Sequence, residues 1–388
     1  MKSLILAKIF KPKLNLFFKR FLSNSNDNNK KNPLDHILKL NSNNGNLALV
    51  SLSKNIFFNL ALENYLAETT NLKNRSILLL WTSEPCIVFG RHQNPWLESN
   101  VKQSRLASIR LARRYSGGGC VYHDEGNLNI SFITDRLKYN REHNLNLIKR
   151  TLESLELKDV EFQISPRHDI YIKAENEMFK ISGTASRLAQ KFAYHHCTLL
   201  FDLNLNNMKM LKSNLIENII TKATPSVRSK CINLKKFSND SSLNMNMLIE
   251  KLCGEYWYLN GAQWSLDYLF AYINPEEESI IELIEKNFSE LKSWDYVYGT
   301  TPKFQLCIPL ENQNQVRLNI VKGLVRDYEI ILDKFDANEM KTLKDGLDLI
   351  VNCKLDNDDL VKCFNDNNLL RDSNSNFERI FNFLNKNI

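Results

Sequence analysis

Residues 117–119 are three consecutive glycines within RRYSGGGCVYHDEGN, Arg113–Asn127. Glycine loses more backbone entropy on ordering than any other residue, so the run marks a loop between two ordered segments. It also leaves the backbone open to a ligand, because no side chain blocks the approach. A concave run of N–H groups holds an anion. Arg113 and Arg114 stand just before it and can add charge-assisted bonds to a carboxylate or phosphate. Two common phosphate signatures fail. No Gly-Lys-Ser/Thr follows, as a P-loop needs, and Tyr122 sits where the dinucleotide fingerprint needs its third glycine. The residues alone leave two readings open, an anion cradle and a glycine-rich hairpin turn.

The segments around this loop set the fold class. Ile56–Thr69 carries apolar residues at Ile56, Leu60, Ala61 and Tyr65 and reads as an amphipathic helix. Ile77–Trp81 and Cys86–Phe89 read as two strands joined by a turn at Ser83-Glu84-Pro85, and Leu128–Ile133 as a half-buried strand. Asp169–Lys173 and Met178–Ser182 flank a polar turn and read as a hairpin, with a further strand at His196–Phe201. Helices are expected at Asn144–Leu157, Asn244–Tyr258 and Glu277–Leu291. Hairpins with separate helices imply an α+β fold with a mixed, largely antiparallel sheet. Trp294–Phe304 is rich in turn residues and aromatics. A strand pair, Phe304–Pro309 and Val316–Ile320, then Tyr328–Leu332 and helices follow it. A boundary near 305 gives a catalytic domain at 47–304 and a small α+β accessory domain at 305–388.

The 388 residues carry a formal charge of +7. Residues 1–26 hold Lys2, Lys8, Lys11, Lys13, Lys19 and Arg20 and no acid, which leaves about +1 for the rest. The basic excess is an N-terminal tag, not a nucleic-acid surface. Its Leu, Ile and Phe are interleaved with Lys and Arg, and Ser23 and Ser25 follow a basic pair. This is the pattern of a mitochondrial transit peptide over 1–26. Residues 27–46 are Asn-rich and read as a flexible linker. No run reaches the roughly 20 apolar residues of a membrane-spanning helix. The eight cysteines are scattered without a CxxC pair, so neither a zinc site nor a disulfide framework is expected.

Three later segments add chemistry. Lys180 lies in FKISGTASR, Phe179–Arg187, where a fixed cation suits a phosphate beside an anion cradle. In AYHHCTLL, Ala193–Leu200, the two histidines point to opposite faces of a strand, and Thr198 shares the face of His196. An HHxxxDG motif fails because Leu200 replaces its Asp. In TPSVRSKCINL, Pro225 fixes a turn that offers Thr224 and Ser226 to a ligand.

RRYSGGGCVYHDEGNLNISF, FKISGTASR, AYHHCTLL, TPSVRSKCINL and WDYVYGTTPKF occur in the order found in the lipoate–protein ligase and lipoyltransferase family. FNLALENYL and CIVFGRHQNPW also resemble its first helix and second strand. The likeness spans about residues 47–305, and its SGTAS and HHCTLL wording is similar to the mitochondrial lipoyltransferase branch. The resemblance implies a catalytic domain of the biotin/lipoyl-ligase type, related to class II aminoacyl-tRNA synthetases, with a pocket for lipoyl-AMP. By motif match, Arg114, Ser116, Gly117, Gly118, Gly119, Cys120, Val121 and Tyr122 contact the nucleotide and acyl group. Arg167, Lys180, Thr198, Thr224 and Ser226 complete the pocket, with Lys180 as the catalytic residue. His168 follows Arg167 where the family often has an aromatic residue.

The activity implied is transfer of a lipoyl group, from lipoyl-AMP or a lipoylated carrier, to lysines of other proteins. The acceptors would be lipoyl domains of 2-oxoacid dehydrogenase E2 subunits and the glycine-cleavage carrier in the mitochondrial matrix. ATP and Mg²⁺ enter only if the chain also activates free lipoate. No resident metal, nucleic acid or membrane is expected, and a monomer is the default. Neither step needs an enzyme nucleophile, and no Ser/His/Asp arrangement stands out in the sequence. Asp124 is a candidate base, with turn capping as its plainer role. Two rivals are a thiol-mediated transferase using Cys197 or Cys120, and a non-catalytic lipoyl-domain-binding protein.

Overall fold

Leu47–Ser51 (LALVS) and Ile77–Trp81 (ILLLW) are unbroken apolar runs, apart from the closing Ser51. A strand carries such a run when both of its faces are covered. In the computed structural model they form β1 and β2, with every residue buried. Helix α1 (Ile56–Thr69) joins them, and the Asn55 side chain caps its start by accepting from Phe57 N. The structure describes residues 46–388 apart from 74, 156, 175, 239, 241, 260–268, 312, 332–336 and 367–375. The transit-peptide reading and all but residue 46 of the linker reading lie outside these residues.

The chain continues through β3 (Cys86–Phe89), short helices α2 (Pro95–Glu98) and α3 (Val101–Leu106), then β4 (Arg110–Arg113), β5 (Val121–His123) and β6 (Asn127–Asp135). Helix α4 (Arg141–Glu153) leads to β7 (Glu161–Ile164), β8 (Ile170–Ala174), β9 (Glu177–Lys180), β10 (Thr184–Leu188) and β11 (Phe192–Leu200). Then come β12 (Ile219–Thr221), α5 (Met245–Leu259), β13 (Leu269–Ile273) and α6 (Glu278–Lys292). The C-terminal part holds β14 (Phe304–Pro309), β15 (Gln315–Val321), β16 (Leu324–Ile331), α7 (Ala337–Ile350), α8 (Asn357–Asp366) and α9 (Asn376–Asn387).

The main sheet has six strands in the order β10-β11-β6-β2-β1-β13. Pairing is antiparallel from β10 to β2 and parallel from β2 through β1 to β13. This is the mixed, largely antiparallel α+β arrangement expected. Strand alternation sorts the side chains. Ala48, Val50, Leu78, Leu80, Ile130, Phe132, Cys197 and Leu199 face α4 and α5. Leu47, Leu49, Ile77, Leu79, Trp81, Ile133 and Tyr194 face α1 and α6. Burying one such aliphatic side chain stabilises the fold by about 1.5–3 kcal/mol.

The strands Ile77–Trp81 and Cys86–Phe89 follow each other but do not pair. β3 leaves the main sheet and joins a three-stranded one, parallel to β4 and antiparallel to β5. The turn is committed elsewhere: Glu84 N donates to Lys54 O, and Pro85 O accepts from Arg110 N. β8 and β9 form the expected hairpin, extended by β7. Strand β11 starts at Phe192, four residues before its expected start, because it pairs with β6 along nine residues. The C-terminal sheet runs β12-β14-β15-β16, so it takes one strand from Ile219–Thr221. Trp96 joins this part to the rest, its ring 5.3 Å from Tyr298 and 5.4 Å from Phe304.

Candidate active site

The glycine loop links β4 to β5 and lies against the start of β10. Two arginines at the end of β4 build it. Arg113 is fully buried and donates to the carbonyls of Gly90, Arg91, Gln93 and Val297 and to Thr301 Oγ1, at 2.8–3.1 Å. It ties the 90–93 turn to the turn that follows α6. Arg114 donates to Ser116 Oγ (3.0 Å), Val88 O (3.1 Å), Gly117 O (2.7 Å) and Gly119 O (2.8 Å). Burial lowers both guanidiniums to about 10, so they remain charged at neutral pH. Both spend their donors on protein carbonyls and hydroxyls.

Arg114 thereby pulls two loop carbonyls inward. Among the described residues, the N–H groups of Gly117, Gly118 and Gly119 donate to no protein acceptor. Three successive free amides in a tight loop form an anion nest. Gly118 has φ +89°, which L-residues rarely adopt, and a Cβ there would lie 3.0 Å from an Arg114 nitrogen. A Cβ on Gly90 would fall 2.0 Å from Gly118 O, so the 90–93 turn can press against the loop only as glycine.

The TPS segment braces the loop from outside. Ser226 Oγ accepts from Cys120 N (2.8 Å) and Gln93 Nε2 (2.9 Å), while Ser226 N donates to Glu98 Oε1 (3.1 Å). Thr224 N donates to His92 O at 3.3 Å. Gly183 connects the other side: its N–H donates to Thr198 Oγ1 at 2.9 Å, and a Cβ on it would lie 3.6 Å from Lys180 Cε. Lys180 Nζ meets Asp169 Oδ2 at 2.7 Å. Lys180, Gly183 and Thr198 thus meet at the end of the sheet where the loop crosses β10.

Beneath the loop runs a chain of polar contacts. Ser116 Oγ lies 2.9 Å from His196 Nε2, and His196 Nδ1 lies 3.1 Å from Glu63 Oε1, which also accepts from Ser131 Oγ. A serine–histidine–carboxylate arrangement does exist, which corrects the sequence expectation. It is not built for nucleophilic attack. Ser116 is 1% exposed and its Oγ already accepts from Arg114 Nε. The chain starts at a cation, Arg114, and ends on a carboxylate, Glu63, and it props the loop from below.

Some expected residues stand apart. Tyr122 packs with Ile87, Phe89, Leu200 and Leu203, its hydroxyl tied to Asp124 and Asn207. Val121 packs on the opposite side, against the main-sheet cluster. Arg167 is exposed on the β7–β8 turn and makes no hydrogen bond or ion pair among the described residues. Asp124 accepts from Gly126 N and Asn204 N, which is turn capping. Cys197 faces α4 and α5, away from the loop, and burial pushes its thiol and that of Cys120 far up. Neither thiol is set up as a thiolate nucleophile.

Sequence reasoning missed Glu63, Asp169 and a group of buried polar atoms. Glu63 follows Leu60 by three on the apolar face of α1, and a carboxylate there was the available signal. Asp169 stood two residues after Arg167, at the start of the expected hairpin. Trp81 Nε1, Ser83 Oγ, both ring nitrogens of His123 and the Asn127 amide are buried without partners among the described residues. Such atoms mark a place where water or a ligand completes the bonding. Burial, with Arg114 and His196 nearby, lowers His123 to about 3.

Residues 55–256 match the family described as lipoyl protein ligase A/B catalytic domain. The chain belongs to that family. It is similar to the mouse protein named "Lipoyl amidotransferase LIPT1, mitochondrial", 40% identical over 258 residues, which are 66% of each chain. It is similar to the lipoate-protein ligase A of Blochmanniella floridana, 30% identical over 77% of this chain and 87% of the relative. Among solved structures it resembles P. falciparum LipL1 in complex with lipoate, with TM-score 0.54 and 27% identity over 88% of this chain and all of that one. In family terms, the matched region contains the glycine loop, Lys180, Thr198 and the TPS segment.

Proposed function

We propose that this protein is a lipoyltransferase. It takes the lipoyl group from lipoyl-AMP, or from a lipoylated carrier, and places it in amide linkage on lysines of lipoyl domains. Its acceptors are mitochondrial 2-oxoacid dehydrogenase E2 subunits and the glycine-cleavage carrier, in the matrix. Residues 47–304 are the catalytic domain and 305–388 the accessory domain. The names of the family and of its mitochondrial relatives support the reaction and the compartment.

The observation that carries the reading is the loop itself: amides free among the described residues at Gly117–Gly119, with the Gly117 and Gly119 carbonyls held on Arg114, against the strand that begins next to Gly183, on which a Cβ would lie 3.6 Å from Lys180 Cε. That geometry suits an acyl phosphate. The amides take the phosphate, and Lys180 exchanges Asp169 for the phosphate or the acyl carbonyl. The acceptor amine attacks the carbonyl carbon, its carbon–oxygen bond to phosphate breaks, and AMP departs with the electron pair. Fixed donors aimed at developing charge are the main source of rate in such sites. Asp169 is within reach of Lys180 and is a better-placed proton acceptor than Asp124, whose oxygens cap a turn. ATP, arriving as its Mg²⁺ complex, belongs to a separate activation step.

Incubation with synthetic lipoyl-AMP and an apo lipoyl domain is the test. A lipoyl mass increment on one domain lysine supports the reading, and none overturns it. Pyrophosphate release from ATP and free lipoate then tells a full ligase from a transferase.

A further inference from the structure

The catalytic groups end at the outermost strand of the main sheet, and that strand has an open side. β10 pairs only with β11 among the described residues. Gly183 O accepts from Thr198 N, and Ala189 N donates to Phe192 O, both at 2.9 Å. Antiparallel ladders alternate, so Thr184, Ser186 and Leu188 turn their N–H and C=O groups outward. An open edge is a template for another strand. Leu188 on it is 49% exposed, and Leu137 beside the β10–β11 hairpin is 95% exposed.

The rim of this edge is basic. Arg136 N donates to Lys191 O at 3.2 Å, which brings Arg136, Lys138 and Lys191 to one corner. Arg141 Nη2 reaches Ser186 Oγ at 3.4 Å on the edge strand. None of these four cations forms an ion pair among the described residues, and the neighbouring acids are Asp135, which caps Leu137 N, and Glu142. The basic residue of the strand itself, Arg187, is already paired with Glu68.

We propose that the open edge of β10 and its basic rim receive the acceptor domain, whose acidic extended segment pairs with β10 as an added strand. This rests on the lipoyltransferase reading and names the docking surface for it. A second copy of this chain would set like charges against each other, which selects against edge-to-edge pairing. An added strand lies about 4.8 Å from β10. Its first residues then run beside the glycine loop, because a Cβ on Gly118 would lie 3.3 Å from Ala185 Cβ. A lysine at the turn of such a segment reaches the loop and Lys180 with one side-chain length.

The test uses the full chain carrying Lys138→Glu and Lys191→Glu, two exposed positions outside the site. Lipoyl-AMP is the donor and an apo lipoyl domain the acceptor. The expected result is a roughly tenfold rise in KM for the domain, since rim charges act on encounter and affinity. The kcat and the affinity for lipoyl-AMP, measured by calorimetry, stay unchanged. The wild-type KM should rise with salt, and the variant's should rise less. Amide exchange at 184–188 should slow when the domain is added. A KM within twofold of wild type, or no protection of those amides, overturns the proposal. Protection without any domain, with a concentration-dependent dimer, assigns the edge to a second copy and also overturns it. If the wild-type protein transfers no lipoyl group from lipoyl-AMP to the domain at any domain concentration, the transferase reading falls and this docking surface with it.

Discussion

The two faces of the main sheet are made by the same strands, and along the middle of β6 and β11 they differ in chemistry. On β6, Ile130 and Phe132 face α4 and α5, while Asn129 and Ser131, alternating with them, face the other way. On β11, His195, Cys197 and Leu199 share the first face, and His196 and Thr198 the second. One face is packed with aliphatic side chains. The other holds a polar row that reaches from Glu63 to the glycine loop. The comparison teaches that β6 and β11 are at once a core wall and the floor of a site. Substitutions one residue apart should therefore separate stability from activity.

The largest effect is expected on the packed face. Ile130→Ala leaves a cavity where nothing can collapse, and should cost about 2–5 kcal/mol. Denaturant unfolding should report the loss while kcat per folded molecule stays near wild type. A large fall in kcat with little change in stability would break the division. Next is Lys180→Ala on the site side. Removing one oriented donor costs roughly 10²–10³ in rate. Single-turnover transfer from lipoyl-AMP should show it without a matching loss of stability, and near-normal transfer would remove Lys180 from the reaction. Gly118→Ala follows, at about 1–3 kcal/mol for the forced φ. It should appear chiefly as weaker binding of lipoyl-AMP, measured by calorimetry, because the loop must shift off Arg114.

This division explains what could be foreseen. The runs LALVS and ILLLW were legible because a fully buried strand leaves little choice of residue. The face assignment of His195 and His196 was legible because strand alternation is rigid. The roles of Arg113 and Arg114 were not, since a guanidinium's sequence position does not say whether it turns to a ligand or to a carbonyl. Both turn to carbonyls and hydroxyls, and it is the glycine amides that stay free among the described residues. The exit of β3 into a second sheet was hidden for a similar reason. A short strand after a turn pairs with whatever strand tertiary packing supplies, and Arg110–Arg113 supplies it. Lys180 was visible as a cation near a glycine turn, but its partner Asp169 lies eleven positions away, just before a strand that only the hairpin brings alongside.

The smallest expected effect sharpens the comparison with one residue from each side. His195 lies on the packed face, with Asn144 Nδ2 at 3.3 Å. His123 lies near Arg114, with neither ring nitrogen partnered among the described residues. Burial is the first cause in both and lowers each to about 3, from 6.5. Below 6.5 the unfolded chain takes up protons that the native state refuses. Stability is therefore level above that pH and falls as pH drops toward about 3, by about 1.4 kcal/mol per unit per histidine. Chemical denaturation at pH 7, 6 and 5 should show the slope, and a Phe at either position should remove one histidine's share. The two substitutions should part company in ligand dependence. A ligand that supplies His123 with a hydrogen-bond partner changes the His123 share and leaves that of His195 alone. Equal slopes with and without lipoyl-AMP would place His123 in ordinary core and shrink the site to the glycine loop and Lys180.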